Sequence, residues 1–256
     1  MNLENKMKEK PIVIVTEGCS MSSFTIKTIF NLLKLHKYDI YFPGKTELYK
    51  FDKNPFYTEG MNLVNMLKKT FEEIPNVIMK MDMRSLETDG VIKILENQKA
   101  RVCFLNRDNL LDVAICCTKD FIKKSKKQES FQTFKEWRHS DARANEKVDP
   151  SDLISLIESR SNLNSKKMEI MQRINKVCNN QEKFISAQKL CNFDVHEYEK
   201  VFKVLGYNFN KELATKYFSD FETRDQYKHK DVIQQEKIDD FKSELKKHGF
   251  LKYWRD

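Results

Sequence analysis

The chain predicts an α/β fold: a central parallel β-sheet flanked by helices, followed by a mostly helical C-terminal half. Three observations carry that expectation. Short apolar runs at residues 12–16, 77–81 and 101–106 have the length and branched-chain content of buried strands. Helical periodicity separates them, with Phe24, Ile26, Ile29 and Phe30 after the first run and Leu86, Val91, Ile94 and Leu95 after the second. Strands that alternate with helices need crossover connections, and these make the strands parallel.

In chain order, Ile12 to Thr16 forms the first strand and passes through the small residues Gly18, Cys19, Ser20, Met21, Ser22 and Ser23 into a helix that ends near Lys37. Residues 38–42 are a candidate short strand, followed by a turn, Pro43-Gly44-Lys45-Thr46-Glu47, and an aromatic stretch with Tyr49, Phe51, Phe56 and Tyr57. Residues 61–73 read as a helix stopped before Pro75. The strand after it, Val77-Ile78-Met79-Lys80-Met81, carries one cation in an apolar run. A Lys there costs free energy unless its amine reaches water or an anion. It falls near the strand's C-terminal end, where open α/β sheets bind ligands. Residues 85–97 read as a helix and Arg101 to Asn106 as the third strand, leading into a long helix through Ala114, Ile115, Phe121 and Ile122. Asp149-Pro150-Ser151 starts another helix, with Pro in its first turn. Residues 196–205 are an amphipathic helix closed by Gly206, and a last one surrounds Ile238, Phe241 and Leu245.

The whole chain, residues 1–256, reads as one domain with a flexible N-terminus at residues 1–10 and a substrate-side loop at residues 128–150. Charged residues make up 33% of it and its mean hydropathy is -0.66, so the surface is well solvated. No apolar run is long enough for a membrane span, and the polar first ten residues lack the core of a secretion signal. Six Cys without zinc-type or paired spacing read as reduced thiols, which gives a cytoplasmic expectation and no metal. The net charge of +8 suits an anionic ligand, but the Lys residues are dispersed, which argues against a dedicated nucleic-acid binder.

The strand, small-residue loop and helix N-terminus around Gly18–Ser23 form the generic seat for a phosphate or sulfate, because free N–H groups and the helix dipole favour an anion there. A β–α turn capped by Ser22 or Ser23 is the other reading of the same residues. The ATPase loop G-x-x-x-x-G-K-[ST] is missing.

The segment VTEGCSMSSFTIKTI resembles the 5′-phosphosulfate loop of sulfotransferases, with Ser20, Ser22 and Ser23 on the pattern, Cys19 in place of a basic residue and Met21 in place of Gly. FLNRDNLLDVAICC resembles that family's 3′-phosphate element, R-x-N-L-L-x-x-A-(V/I)-S, with Arg107, Asn109, Leu110, Leu111, Ala114 and Ile115 matching and Cys116 replacing Ser. IMKMDM is similar to the family strand whose Lys faces the transferred group, here Lys80, and PGKTELY to the segment carrying a catalytic Glu, here Glu47.

The resemblance implies a P-loop NTPase-like sulfotransferase fold and transfer of a sulfuryl group from 3′-phosphoadenosine 5′-phosphosulfate (PAPS) to a hydroxyl or amine, for example on a carbohydrate. The desulfated bisphosphate, PAP, would be the product, and no metal is needed. In that scheme Gly18 to Ser23 hold the phosphosulfate, Lys80 neutralises the transferring group, Glu47 takes the acceptor's proton, and Arg107 with Cys116 reads the 3′-phosphate. The partner would be a small-molecule or glycan acceptor, walled by the aromatic stretch at residues 49–57 and the loop at 137–147, with Arg224, Lys228 or Lys230 covering the nucleotide. Two other readings stand beside it: a degenerate non-catalytic binder of nucleotides or polyanions with the same fold, and an ATP-dependent kinase.

Overall fold

In a computed structural model, which describes residues 10–16, 22–43, 47–48, 50–126, 145–178, 184–221 and 228–256, the three apolar runs form strands β1 (Ile12–Thr16), β2 (Ile78–Asp82) and β3 (Arg101–Asn106). A two-residue strand, β4 (Ile185–Ser186), joins them, and the order across the sheet is β2-β1-β3-β4 with every pairing parallel. The candidate strand at 38–42 is reduced to a single parallel bridge from Tyr41 to Val77 beyond β2.

Side chains alternate across a strand, so a sheet covered on both faces needs apolar residues at successive positions. Ile12 and Ile14, with Ile78, Cys103 and Leu105, face helix α1 (Ser22–Leu35) through Ile26, Ile29, Leu32 and Leu33. Val13, Val15, Met79, Met81, Val102 and Phe104 face the other way, onto α2 (Leu63–Glu73) and α3 (Val91–Asn97). The expected helix at 85–97 is broken: residues 83–87 form a 3-10 turn, and Gly90, at φ 85°, caps α3. A Cβ on Gly90 would also stand 3.2 Å from a Val64 methyl, so both backbone and packing require glycine there.

The chain groups into two compact units where the sequence reads as one domain. The first contains the sheet and joins residues 1–108 to 167–224. The second joins 109–166 to 225–256. Helix α4 (Leu110–Lys126) opens the second unit, and α5 (Leu153–Cys178) begins in it and continues from Lys167 in the first. The start foreseen at Pro150 is a 3-10 turn, where the Asp149 carboxylate accepts the Ser151 N–H, and α5 follows it directly.

From Lys167 onward, Ile170, Met171 and Ile174 of α5 complete the core on the α2 and α3 face. On the α1 face the first unit adds α6 (Ala187–Cys191), α7 (Val195–Val204) and α8 (Lys211–Phe218), which supply Leu190, Tyr198, Val201, Phe202 and Phe218. The core of the second unit consists of Leu110, Leu111, Ala114 and Ile115 of α4, Leu153 and Ile157 of α5, and Ile238, Phe241 and Leu245 of α9 (Ile238–Lys247). The fold class is thus α/β, a parallel sheet flanked by helices. Among the described residues no helix is long and apolar enough to cross a membrane.

Candidate functional site at the carboxyl edge of the sheet

β1 is followed by β2 on one side of it, and the chain then crosses back to place β3 on the other. Connections that leave neighbouring strands in opposite directions open a crevice at the strands' carboxyl ends. The sequence ends each strand there with polar residues: Thr16 on β1, Lys80 and Asp82 on β2, Asn106 followed by Arg107 and Asp108 on β3, and Ser186 on β4.

Lys80 is the interrupting cation of β2, and its side chain is only 13% exposed. Its Nζ donates to Glu47 Oε1 at 3.4 Å, so Glu47 and Lys80, assigned separately from the sequence, are brought together. Glu47 also takes a short hydrogen bond from Lys53 and pairs with Lys50 at 3.1 Å. Burial alone would raise the Glu47 carboxyl. Hydrogen bonds from Lys53 and Lys50 and the charge of Lys80 outweigh it and bring the pKa down to about 2. A carboxylate held that low accepts a proton poorly, so in this geometry Glu47 is first a counter-ion that fixes Lys80.

A second buried cation was not foreseen. Lys167, 2% exposed, donates to Asn106 Oδ1 at 3.0 Å and lies 5.6 Å from the Phe184 ring centre. Burial lowers its amine to about 8, near the pH at which a Lys can exchange protons. The signal was available: Lys167 precedes the core residues Ile170, Met171 and Ile174 by three, four and seven positions, so it lies on the apolar stripe of α5. Next to it along the edge, the Ser186 hydroxyl donates to Asp108, and the Ser186 N–H donates to the buried Glu197 carboxylate at 2.7 Å.

The other sequence-assigned residues fall as follows. Gly18, Cys19, Ser20 and Met21 lie outside the described residues, as do Tyr49 and Arg224; Ser22 and Ser23 are in the first turn of α1. Residues 1–9 of the expected N-terminal arm and 128–144 of the expected loop are likewise outside. Arg107 is half-buried just beyond β3 in the first unit, whereas Cys116, half-buried on α4, belongs to the second, as do Lys228 and Lys230.

The rest of the 3′-phosphate pattern has structural work within the second unit. The Asn109 side chain accepts the Asp112 N–H at 3.1 Å, capping α4, and donates to the Tyr253 carbonyl at 2.8 Å. Leu110, Leu111, Ala114 and Ile115 are core. Among the described residues no three His, Cys, Asp or Glu side chains gather as metal ligands would.

No family model matches the chain, and no match was found among curated proteins or solved structures.

Proposed function

We propose that the chain is a PAPS-dependent sulfotransferase of P-loop-like fold, acting in the cytoplasm on a hydroxyl or amine acceptor, with the donor at the carboxyl edge of its parallel sheet. The observation that carries this reading is the Glu47–Lys80 pair: a nearly buried ammonium on the strand beside β1, fixed by a carboxylate 3.4 Å away. Sulfuryl transfer is an in-line displacement that asks the protein mainly to position reactants and to neutralise charge on the moving group and the leaving phosphate. Lys80, level with Ile14 of β1, would supply that charge beside the strand's carboxyl end.

The low pKa of Glu47 fits a base that the donor switches on. Arrival of an anion draws Lys80 and its companions toward the sulfate, weakens the hydrogen bonds that hold Glu47 down, and leaves a carboxylate better able to take the acceptor's proton. Arg107 supports recognition of the 3′-phosphate, since its planar fork suits phosphate oxygens.

A non-catalytic binder of the same nucleotide is the second reading. It is favoured by the neutralised lysines around Glu47 and by Cys19 and Met21 where the resemblance asks for a basic residue and Gly.

Thermal unfolding with added nucleotide, followed by a transfer assay, tests both. PAP at about a hundred times its Kd should stabilise the protein by about 2.7 kcal/mol, seen as a rise in Tm, with ATP and magnesium inert. Transfer of sulfate from PAPS to an acceptor panel supports the enzyme. A PAP-induced rise without transfer supports the binder, and a rise with ATP and magnesium alone overturns both in favour of a kinase.

A further inference from the structure

We infer that the Thr16 hydroxyl is a direct ligand of a tetrahedral oxyanion, a phosphate or sulfate ester, seated against the first turn of α1. The inference rests on the donor site proposed above and adds a residue that the sequence pattern did not mark. Thr16 ends β1 and is 1% exposed, and its Oγ1 has no hydrogen-bond partner among the described residues. A buried hydroxyl without a partner is a net cost to the folded chain, and Val would fill the same volume without it. A Thr in that position is accounted for when something absent from the free protein completes its hydrogen bond.

The register says what that is. By strand alternation Thr16 faces the same way as Ile12 and Ile14, which pack on α1. Thr16 pairs with Asp82 and Ile14 with Lys80, so Lys80 lies on that same face, one step along the neighbouring strand. α1 has 14 residues, and the N–H groups of its first turn have no partners within the helix. A hydroxyl donor, a nearly buried ammonium and the positive end of a helix dipole therefore share one face at the end of β1. Together they suit an anion with several acceptor oxygens.

The test uses the full chain and its Thr16→Val and Thr16→Ser forms, with PAP, inorganic sulfate and inorganic phosphate as probes in calorimetry and thermal unfolding. Thr16→Val should leave the unliganded Tm unchanged or raised while weakening PAP about tenfold, as loss of a hydrogen bond to a charged group does. Thr16→Ser should stay within about twofold of the natural chain. Equal PAP affinity in the natural and Thr16→Val proteins overturns the inference and leaves the donor reading standing. If PAP fails to bind but sulfate or phosphate raises the Tm in a way that needs the Thr16 hydroxyl, the donor reading falls and the inference survives. Should none of the three probes bind the natural chain, both fall.

Discussion

At Glu47 three ammonium groups share one carboxylate, and that competition sets what the residue can do. The same bonds that make it a weak base also neutralise cations that the proposed anionic donor would engage. Removing the charge while keeping the shape should separate the two effects. Glu47→Gln is expected to bind PAP several-fold more tightly, because the three lysines lose their counter-ion. On the proposed sulfotransferase reading, with Glu47 as base, its transfer rate should fall by about 10²–10⁴, the usual contribution of a general base. Calorimetry and initial rates read the two quantities independently, and weaker PAP binding in this variant would show that Glu47 holds the lysines in their binding positions. The pair also has a pH signature. A carboxylate whose folded pKa is depressed adds stability above its ordinary value of 4.5, and that contribution is lost as the pH falls toward about 2. Acid titration of stability should therefore be shallower in Glu47→Gln than in the natural chain over that window.

Among the elements, α5 does the least expected thing, since its apolar stripe runs into Lys167 and places an amine at the end of β3. An amine lowered to about 8 is less readily protonated in the folded chain than in the unfolded one, so stability should rise with pH from about 8 to 10.5. Cys103 and Tyr198 oppose that trend, because burial raises both and the unfolded chain ionises them first. The difference between the natural chain and Lys167→Met isolates the amine: the stability of the variant should lack the rise, and denaturant midpoints across that range measure it. Equal pH dependence in the two would show that the amine is not desolvated.

What the sequence made legible follows from the same geometry. β1, β2 and β3 were readable because burial on both faces leaves apolar runs, broken in β2 only by Lys80, whereas β4 is two residues long and the Tyr41 bridge one, too short for any period to register. The helix at 85–97 looked continuous because its apolar residues keep their spacing across a break that Gly90 enforces. Of the candidate site, Lys80 stood out as a charge in a strand. Lys167 is a fainter signal, legible only from its spacing of three, four and seven positions before Ile170, Met171 and Ile174 on the stripe of α5. The pattern after Arg107 shows the converse: Asn109 and the apolar residues behind it are also what a capped, packed helix start requires.

Each of the two units has its own apolar packing, and that of the second depends on the C-terminal end of the chain. Asp112 of α4, 1% exposed, accepts from the fully buried His229 at 2.8 Å and from the Arg255 guanidinium. The Arg255 N–H donates to the other His229 nitrogen at 2.8 Å, which fixes the ring as the neutral tautomer with its proton directed at Asp112. Trp254 packs on His229 at 5.5 Å between ring centres, and the Asn109 side chain holds the Tyr253 carbonyl, so the last turn of the chain is bound to the start of α4. Asp112→Ala would remove the carboxylate that both the half-buried Arg255 guanidinium and the buried His229 N–H bond to, a loss of about 3–5 kcal/mol. Trp254 packs on His229 and Phe241 of the second unit, so its fluorescence reports that core. The fluorescence midpoint in urea should fall by about 2 M in Asp112→Ala, given slopes of roughly 1–3 kcal/mol per molar. A fluorescence midpoint that stayed in place would mean that the second core holds without the Asp112 anchor.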